Sequence, residues 1–472
     1  MQTVVMKFGG TSVADAPAIA RLIGIVTSAV RDGVVPVVVV SAMSGVTDRL
    51  LALAEVAAAG GRESIEPEVE ALRVRHHKTL RELVGPSDPC AAAIDAVFDE
   101  LGAVLKALAI LREASPRSRD GIAACGELAS SRLVAAALAA SGVPAAWVDA
   151  RRALVTDDRY TMAAPLFDET AVAVEGEIEP HVRAGRVPVL GGFVGATREG
   201  STTTLGRGGS DYSASIVGAS IGRRMQEDPL TCREIQIWTD VDGMLTADPR
   251  VVSGTHVVPH LSFGEASELA YFGAKVLHPS TILPAVDRDI PVRILNSRNP
   301  GAPGTRIGAA PAVRAGAITA LACKRGVTVI EVTSTRMLMA HGFLRRLFEV
   351  FERHHTAVDV VTTSEVSVSV TVDDARRLDA IVADLREFAE VAVERDMALV
   401  CAVGDGLRGD AHLAVRLLGT LEGVPLRMVS QAASRRNLTC VVHEKDVAAA
   451  MSRLHEVWFG QPDRPAAAHE RA

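Results

Sequence analysis

Apolar residues follow two different rhythms along the chain. In the first three-fifths, short continuous apolar runs alternate with stretches of helical period. The run TVVMKFG gives way to a helical segment over Ala16–Arg31, then to the run Val34–Ala42, then to a helix over Thr47–Ala59. Runs too short for a helix and apolar on both faces predict strands of a mostly parallel sheet covered by helices. Further strands are expected at PAAWVDA, RVPVLGGFVGA and EIQIWTD, each running into Gly- or Asp-rich turns, where open α/β sheets hold ligands. From Gly60 to Asp120 the strand rhythm is replaced by a charged, Ala/Leu-rich helical excursion.

The segment Arg298–Pro311 is dense in Pro and Gly and predicts a linker over 298–315, after a first domain of 1–297. Beyond it the order is strand 325–332, helix 343–354, strands 358–362 and 366–372, helix 374–387. A similar order follows, with strand 398–404, helix 411–421, strands 425–430 and 437–442 and helix 444–457. Two small ferredoxin-like βαββαβ modules are expected, over 316–393 and 394–460, with the first strand open to exchange between them. A disordered tail is expected over 461–472.

Composition narrows the function. A chain of 472 residues with 48% hydrophobic and 23% charged residues reads as a multidomain globular protein. Its net charge of -7 leaves no basic footprint for nucleic acid. No continuous apolar run approaches the ~20 residues of a membrane span. Cysteines 90, 125, 232, 323, 401 and 440 form no Cys-x-x-Cys pair, so free thiols and no structural metal are expected. The start MQTVVMKF reads directly as a strand, and a cytoplasmic protein is expected.

Five segments carry candidate chemistry. Lys7-Phe8-Gly9-Gly10 sets a cation before two glycines at a strand end. Taken alone it is either a phosphate cradle or a charged turn, and it matches neither a Walker A sequence nor G-x-G-x-x-G. Ser41 to Thr47, SAMSGVT, offers hydroxyls and bare N–H groups at a helix entry, where capping and anion binding coexist. Around Arg207, three glycines let guanidinium and backbone approach one anion, with Ser210 and Asp211 at the next helix entry. Thr239-Asp240, with Arg250 further on, suits ribose hydroxyls, a metal or polyphosphate, although Asp-Gly and Asp-Pro are common in plain turns. Lys275 at a Gly-Ala corner is a second phosphate cation. Four of the five segments sit at predicted strand ends and three carry a cation, as a site for polyphosphate plus an anionic second substrate requires.

The ordered set KFGGTSV, SAMSGVT, CGE, TTTLGRGGSDYSA, WTDVDGMLTADPR and FGAKVLHP resembles the aspartokinases of the amino acid kinase family, in particular their lysine-sensitive monofunctional branch, from Val5 to about Trp458. The resemblance implies ATP:L-aspartate phosphotransfer, the first step towards lysine, threonine and methionine, with Mg2+ carried by ATP. Lys7, Gly9, Gly10 and Asp211 would serve the transferred phosphoryl group. Ser41, Thr47, Glu127, Arg207 and Ser210 would hold aspartate, while Lys7, Thr239, Asp240, Leu245, Arg250 and Lys275 would hold nucleotide. Leu245 replaces an aromatic residue of the family pattern.

The C-terminal modules resemble ACT domains. Their likeness implies a lysine effector site at Met337, Ala340, Gly342, Phe343, Leu344, Val358, Asp359, Ser364 and Glu365, with Ala340 where a serine is usual. It also implies a homodimer built through the ACT modules, or a tetramer. Two rival readings remain: another amino acid kinase with a different substrate, and a catalytically inactive lysine sensor.

Overall fold

The computed structural model describes residues 1–86, 88–223, 230–273, 278–309, 318–334, 341–407, 410–431 and 434–460. Residue contacts divide the chain into two units, Met1–Met244 with Leu277–Ala309, and Leu245–Val276 with Ala310–Ala472. This differs from the expected 1–297 domain and 298–315 linker in two places. Residues 245–276 pack with the second unit because Ala247 and Val252 enter its core and the Leu321 N–H donates to the Thr246 carbonyl at 2.8 Å. Within the expected linker, Thr305–Gly308 is a strand, since its alternating side chains pair antiparallel with Val292–Ile294. The expected tail lies outside the described residues.

The strands of the first unit are β1 (Gln2–Phe8), β2 (Val37–Val40), β3 (Ala145–Trp147), β4 (Val187–Gly191), a hairpin of β5 (Val194–Ala196) and β6 (Thr202–Thr204), and β7 (Thr231–Thr239). Its helices are α1 (Ala16–Arg31), α2 (Val46–Ala58), α3 (Ile65–Leu83), α4 (Cys90–Leu111), α5 (Pro116–Ala140), α6 (Ala150–Ala153), α7 (Phe167–Glu177), α8 (Glu179–Arg183) and α9 (Gly209–Ser220). The chain then supplies β8 (His260–Ser262) and α10 (Phe263–Tyr271) to the second unit and returns for α11 (Leu283–Val286), β9 (Val292–Asn296) and β10 (Thr305–Gly308).

The main sheet of the first unit runs β3-β4-β2-β1-β7-β9-β10, parallel throughout except for β10. All four valines of β2 are buried, as both faces of such a strand must be. The register sets Phe8 beside Val40 and Trp238, and Val40 beside Gly191, so four strands end along one edge. Helix α1 shows how the covering layers form. The Asp15 carboxylate accepts the Ala18 N–H at 2.9 Å as a cap, and Ile19, Leu22, Ile25 and Val26 are buried at helical spacing. Helix α5 is long and apolar enough to cross a bilayer, which the run-length rule missed, but 83% of its apolar window is buried inside the protein.

The second unit continues with β11 (Ala320–Thr333), α12 (Phe343–Arg353), β12 (Val361–Thr363), β13 (Ser367–Val372), α13 (Leu378–Arg386), β14 (Glu390–Val403), α14 (Ala411–Thr420), β15 (Met428–Ser430), β16 (Asn437–His443) and α15 (Val447–Phe459). One antiparallel sheet, β12-β13-β11-β14-β16-β15, serves both modules. The two fourteen-residue strands β11 and β14 pass through both. Ile330 and Val332 of β11 lie in the core around Leu347 and Leu385, whereas Leu321 lies in the core around Leu417 and Met451. The register shifts between Lys324 and Val327, where Gly326 takes a positive φ of 72°, so β11 bulges as it passes between the two cores.

Leu22 is fully buried under the first sheet. Leu22→Ala should cost about 2–5 kcal/mol, read as a lower urea midpoint than that of the unsubstituted chain.

Candidate active site

The loops leaving β1, β2, β4 and β7 close around a cleft of about 540 Å3. It brings together Lys7, Gly9, Gly10, Ser41, Thr47, Glu127, Arg207, Ser210, Asp211, Thr239 and Asp240, residues that the sequence spreads over more than two hundred positions. Lys7, the last residue but one of β1, has its ammonium 2.6 Å from Asp211 Oδ1, the two side chains being 11% and 13% exposed. The contact is ionic, as that oxygen accepts no hydrogen bond of regular geometry. Asp211 reaches it from the first turn of α9, which starts after Gly208 at φ 72°, a conformation open to glycine at little cost.

Ser41 continues from β2, its N–H donating to the Phe8 carbonyl at 3.1 Å and its hydroxyl donating to Ser210 Oγ at 3.1 Å. The Ser130 hydroxyl holds the Ser41 carbonyl at 2.8 Å. Met43 in the same loop is buried and so acts in packing.

Glu127 sits in the middle of α5, buried at 3% exposure, and not at a helix entry. Gly126 permits this, since a Cβ there would stand 2.8 Å from the Ala42 Cβ and push α5 off the serine loop. Burial raises the Glu127 carboxyl from 4.5 to about 8, opposed by the Ala42 N–H and the charge of Lys7. One of its oxygens, Oε2, has no hydrogen-bond partner. A buried, unpartnered carboxylate oxygen lining a cleft is what a site for a cationic group needs.

Other supports were not legible as site residues. Asp120, one turn into α5, is buried, and burial raises its pKa against the hydrogen bonds it accepts. It accepts from the Thr161 N–H at 2.9 Å, the Thr204 N–H at 3.0 Å and the Thr204 hydroxyl at 2.7 Å, tying the strand before the arginine loop to the helix that carries Glu127. Phe193, a bulky residue at φ 66°, also lines the cleft. Ser12 and Ser297 share a hydrogen bond of 2.8 Å, and both side chains contact the strand end that bears Thr239. A local motif search sees none of these, because each acts through a partner distant in sequence.

Two of the other expected nucleotide residues are assigned to the second unit. Leu245 and Arg250 belong to the segment that joins the second unit, and Arg250 pairs with Asp248 at 2.7 Å. Lys275 lies outside the described residues. In the expected effector segment Met337 and Ala340 also lie outside them. Gly342 caps α12 at φ 88°, Phe343 packs edge-on to Phe388 at 5.7 Å, and Leu344 is exposed. Val358 packs on the module core. Ser364 hydrogen-bonds Ser367, and Glu365 is exposed. The Asp359 side chain is 4% exposed and is engaged with Lys324 at 2.9 Å and with the Tyr271 hydroxyl at 2.9 Å.

Comparison with known proteins agrees with this geometry. Residues 2–296 match the amino acid kinase family and residues 400–458 an ACT domain, so the chain belongs to the amino acid kinase family. Over 97% of its length the chain is 36% identical to lysine-sensitive aspartokinase 3 of Escherichia coli, covering 99% of that protein. It is 38% identical, also over 97% of its length, to chloroplastic aspartokinase 3 of Arabidopsis thaliana, covering 82% of it. Two crystal structures of E. coli aspartokinase III align with it at 36% identity over 97% of this chain. The complex with aspartate and ADP in the R-state has a TM-score of 0.80 and is covered completely, and the complex with lysine and aspartate in the T-state has a TM-score of 0.81 and is 99% covered. Within its family the chain is therefore one of the aspartokinases.

Because the folded Glu127 titrates above its ordinary value, its stabilising contribution is complete below pH 4.5 and is lost as pH rises through about 8. The ligand-free protein should lose melting temperature relative to Glu127→Gln across that interval. A difference that does not vary with pH would contradict the burial argument.

Proposed function

We propose that the cleft transfers the γ-phosphoryl group of ATP to the β-carboxylate of L-aspartate. The observation that carries the proposal is Glu127, a buried carboxyl with an unpartnered oxygen in the same cleft as the Lys7–Asp211 pair. Glu127 takes the α-ammonium of aspartate and Arg207 its α-carboxylate through a two-pronged contact. Ser41, Thr47 and Ser210 fix the remaining polar groups of the amino acid. No general base is required, since a carboxylate with a pKa near ~3.9 is already ionised at neutral pH and attacks phosphorus directly.

Lys7 then stabilises the charge that spreads over the phosphoryl oxygens, while Asp211 holds its ammonium in place. Thr239 and Asp240 line the nucleotide side of the cleft. Magnesium would arrive on the nucleotide, with Asp211 and Asp240 as the nearby protein carboxylates. Bound there, the ion would supply positive charge to offset that of the phosphates.

The retention of Lys7, Arg207 and Asp211 in one cleft supports catalysis over an inactive sensor. Lysine regulation belongs to the same reading. The first turn of α12 after Gly342 offers N–H groups to the lysine carboxylate, and Asp359 and Glu365 offer their charges to its ammonium groups. Assembly through the ACT modules as a homodimer completes the proposal.

Lys7→Ala should lower kcat by on the order of 10²–10³ or more with the circular dichroism spectrum unchanged, measured as aspartyl hydroxamate formation. Well-folded unsubstituted protein that releases no ADP on adding aspartate would sink the proposal. At pH 7 the empty-site Glu127 carboxyl is largely protonated, so aspartate binding should expel close to one proton. The expulsion appears as a binding enthalpy that varies with the ionisation enthalpy of the buffer and is absent in Glu127→Gln.

A further inference from the structure

Arg75, a half-buried residue of α3, reaches two loops of the cleft from outside it. Its Nη1 donates to the Ser44 carbonyl at 2.9 Å and its Nη2 to the Ala14 carbonyl at 3.0 Å. Ser44 lies in the serine loop between Ser41 and Thr47. Ala14 closes the short helical turn Gly10–Val13 that follows Lys7, Phe8 and Gly9. One planar guanidinium therefore spans the loop assigned to aspartate and the loop assigned to the phosphoryl group.

The two loops need such a tie. The pairing of β1 with β2 extends as far as the Ser41 N–H, which donates to the Phe8 carbonyl at 3.1 Å. Beyond it the loops meet by packing: a Cβ on Gly10 would stand 3.2 Å from the Ala42 oxygen and 3.6 Å from the Ser44 Cα. Packing limits how near the loops come, whereas hydrogen bonds also set direction. The Ser44 carbonyl is a sensitive point to hold. Gly45, at φ 75°, turns the chain directly after it into α2, whose second residue is Thr47.

Arg75 is itself held in place. Its carbonyl accepts the Thr79 hydroxyl at 3.1 Å. The neighbouring His76 is buried, donates its Nδ1–H to the Leu72 carbonyl at 2.7 Å and packs 5.0 Å from the Phe98 ring of α4. Arg73 bonds Asp95 and Asp99 of the same helix at 2.9 and 2.6 Å. Helix α3 is thus a fixed post, fastened to α4, from which one side chain reaches the cleft loops.

We infer that Arg75 is a positioning residue: by holding the Ala14 and Ser44 carbonyls together it sets the line along which the β-carboxylate of aspartate meets the phosphoryl group. The inference rests on the assignment of those two loops under the proposed function. Phosphoryl transfer depends largely on alignment, so a lost angle between the loops lowers turnover while each loop still binds its own ligand.

The test uses the full chain, with hydroxamate assays for kcat and calorimetric titration of L-aspartate and of ADP. Arg75→Met keeps an apolar stem and loses both bonds, whereas Arg75→Lys keeps the charge and loses the fork. Both should lower kcat about tenfold or more, with the affinities for aspartate and ADP each within about threefold of the unsubstituted chain. A smaller loss of kcat in Arg75→Met overturns the inference, and so does a smaller loss in Arg75→Lys, since charge alone would then suffice. A larger fall in either affinity also overturns it, because Arg75 would then serve binding. Circular dichroism checks folding: if only Arg75→Met unfolds, Arg75→Lys decides by the same criteria, and unfolding of both overturns the inference. An unsubstituted chain that releases no ADP on adding aspartate removes the functional reading and this inference with it, whereas an active one beside unimpaired variants removes the inference alone.

Discussion

A parallel sheet delivers the carboxyl ends of its strands to one edge, and the position of the cleft follows from that constraint. Phe8, Val40, Gly191 and Trp238 stand in register, so the chain must turn at the same level four times. The turns carry different chemistry because different helices leave them. One presents a lysine, one a serine and threonine loop, and one a pair of acidic and hydroxyl side chains. The sheet contributes position and the loops contribute charge.

Helix α5 adds what no strand end supplies. It places a carboxylate at the bottom of the cleft, where burial makes an isolated charge unfavourable, and leaves that cost to be relieved by a ligand. Seven residues earlier on the same helix, Asp120 accepts backbone and hydroxyl hydrogens from the strand that leads to Arg207. The groups assigned to the two ends of one amino acid are thus referenced to a single rigid element, which is how a site distinguishes an α-amino acid from a plain carboxylate.

Much of this was legible in the sequence because the signals are local. KFGG, the serine loop and the arginine loop are short, sit at strand ends and bear their own chemistry. The apolar rhythm located most of the strands and helices to within a few residues. Other features depended on pairing at a distance. Thr305–Gly308 is surrounded by the Pro and Gly that suggested a linker, and becomes a strand only because β9 is there to receive it. Asp359 was placed at the effector site by resemblance, but Lys324 and Tyr271 reach it from 35 and 88 positions away. The depth of Glu127 was hidden for a similar reason. Its burial comes from Gly126 meeting a loop more than eighty residues earlier.

The long strands β11 and β14 each run through both regulatory cores, crossing from one to the other at the bulge near Gly326. Neither module therefore owns a complete set of strands. Recombination that exchanged one module between related proteins would carry half of each shared strand into a foreign core, so inheritance and engineering alike must treat the pair as one cassette.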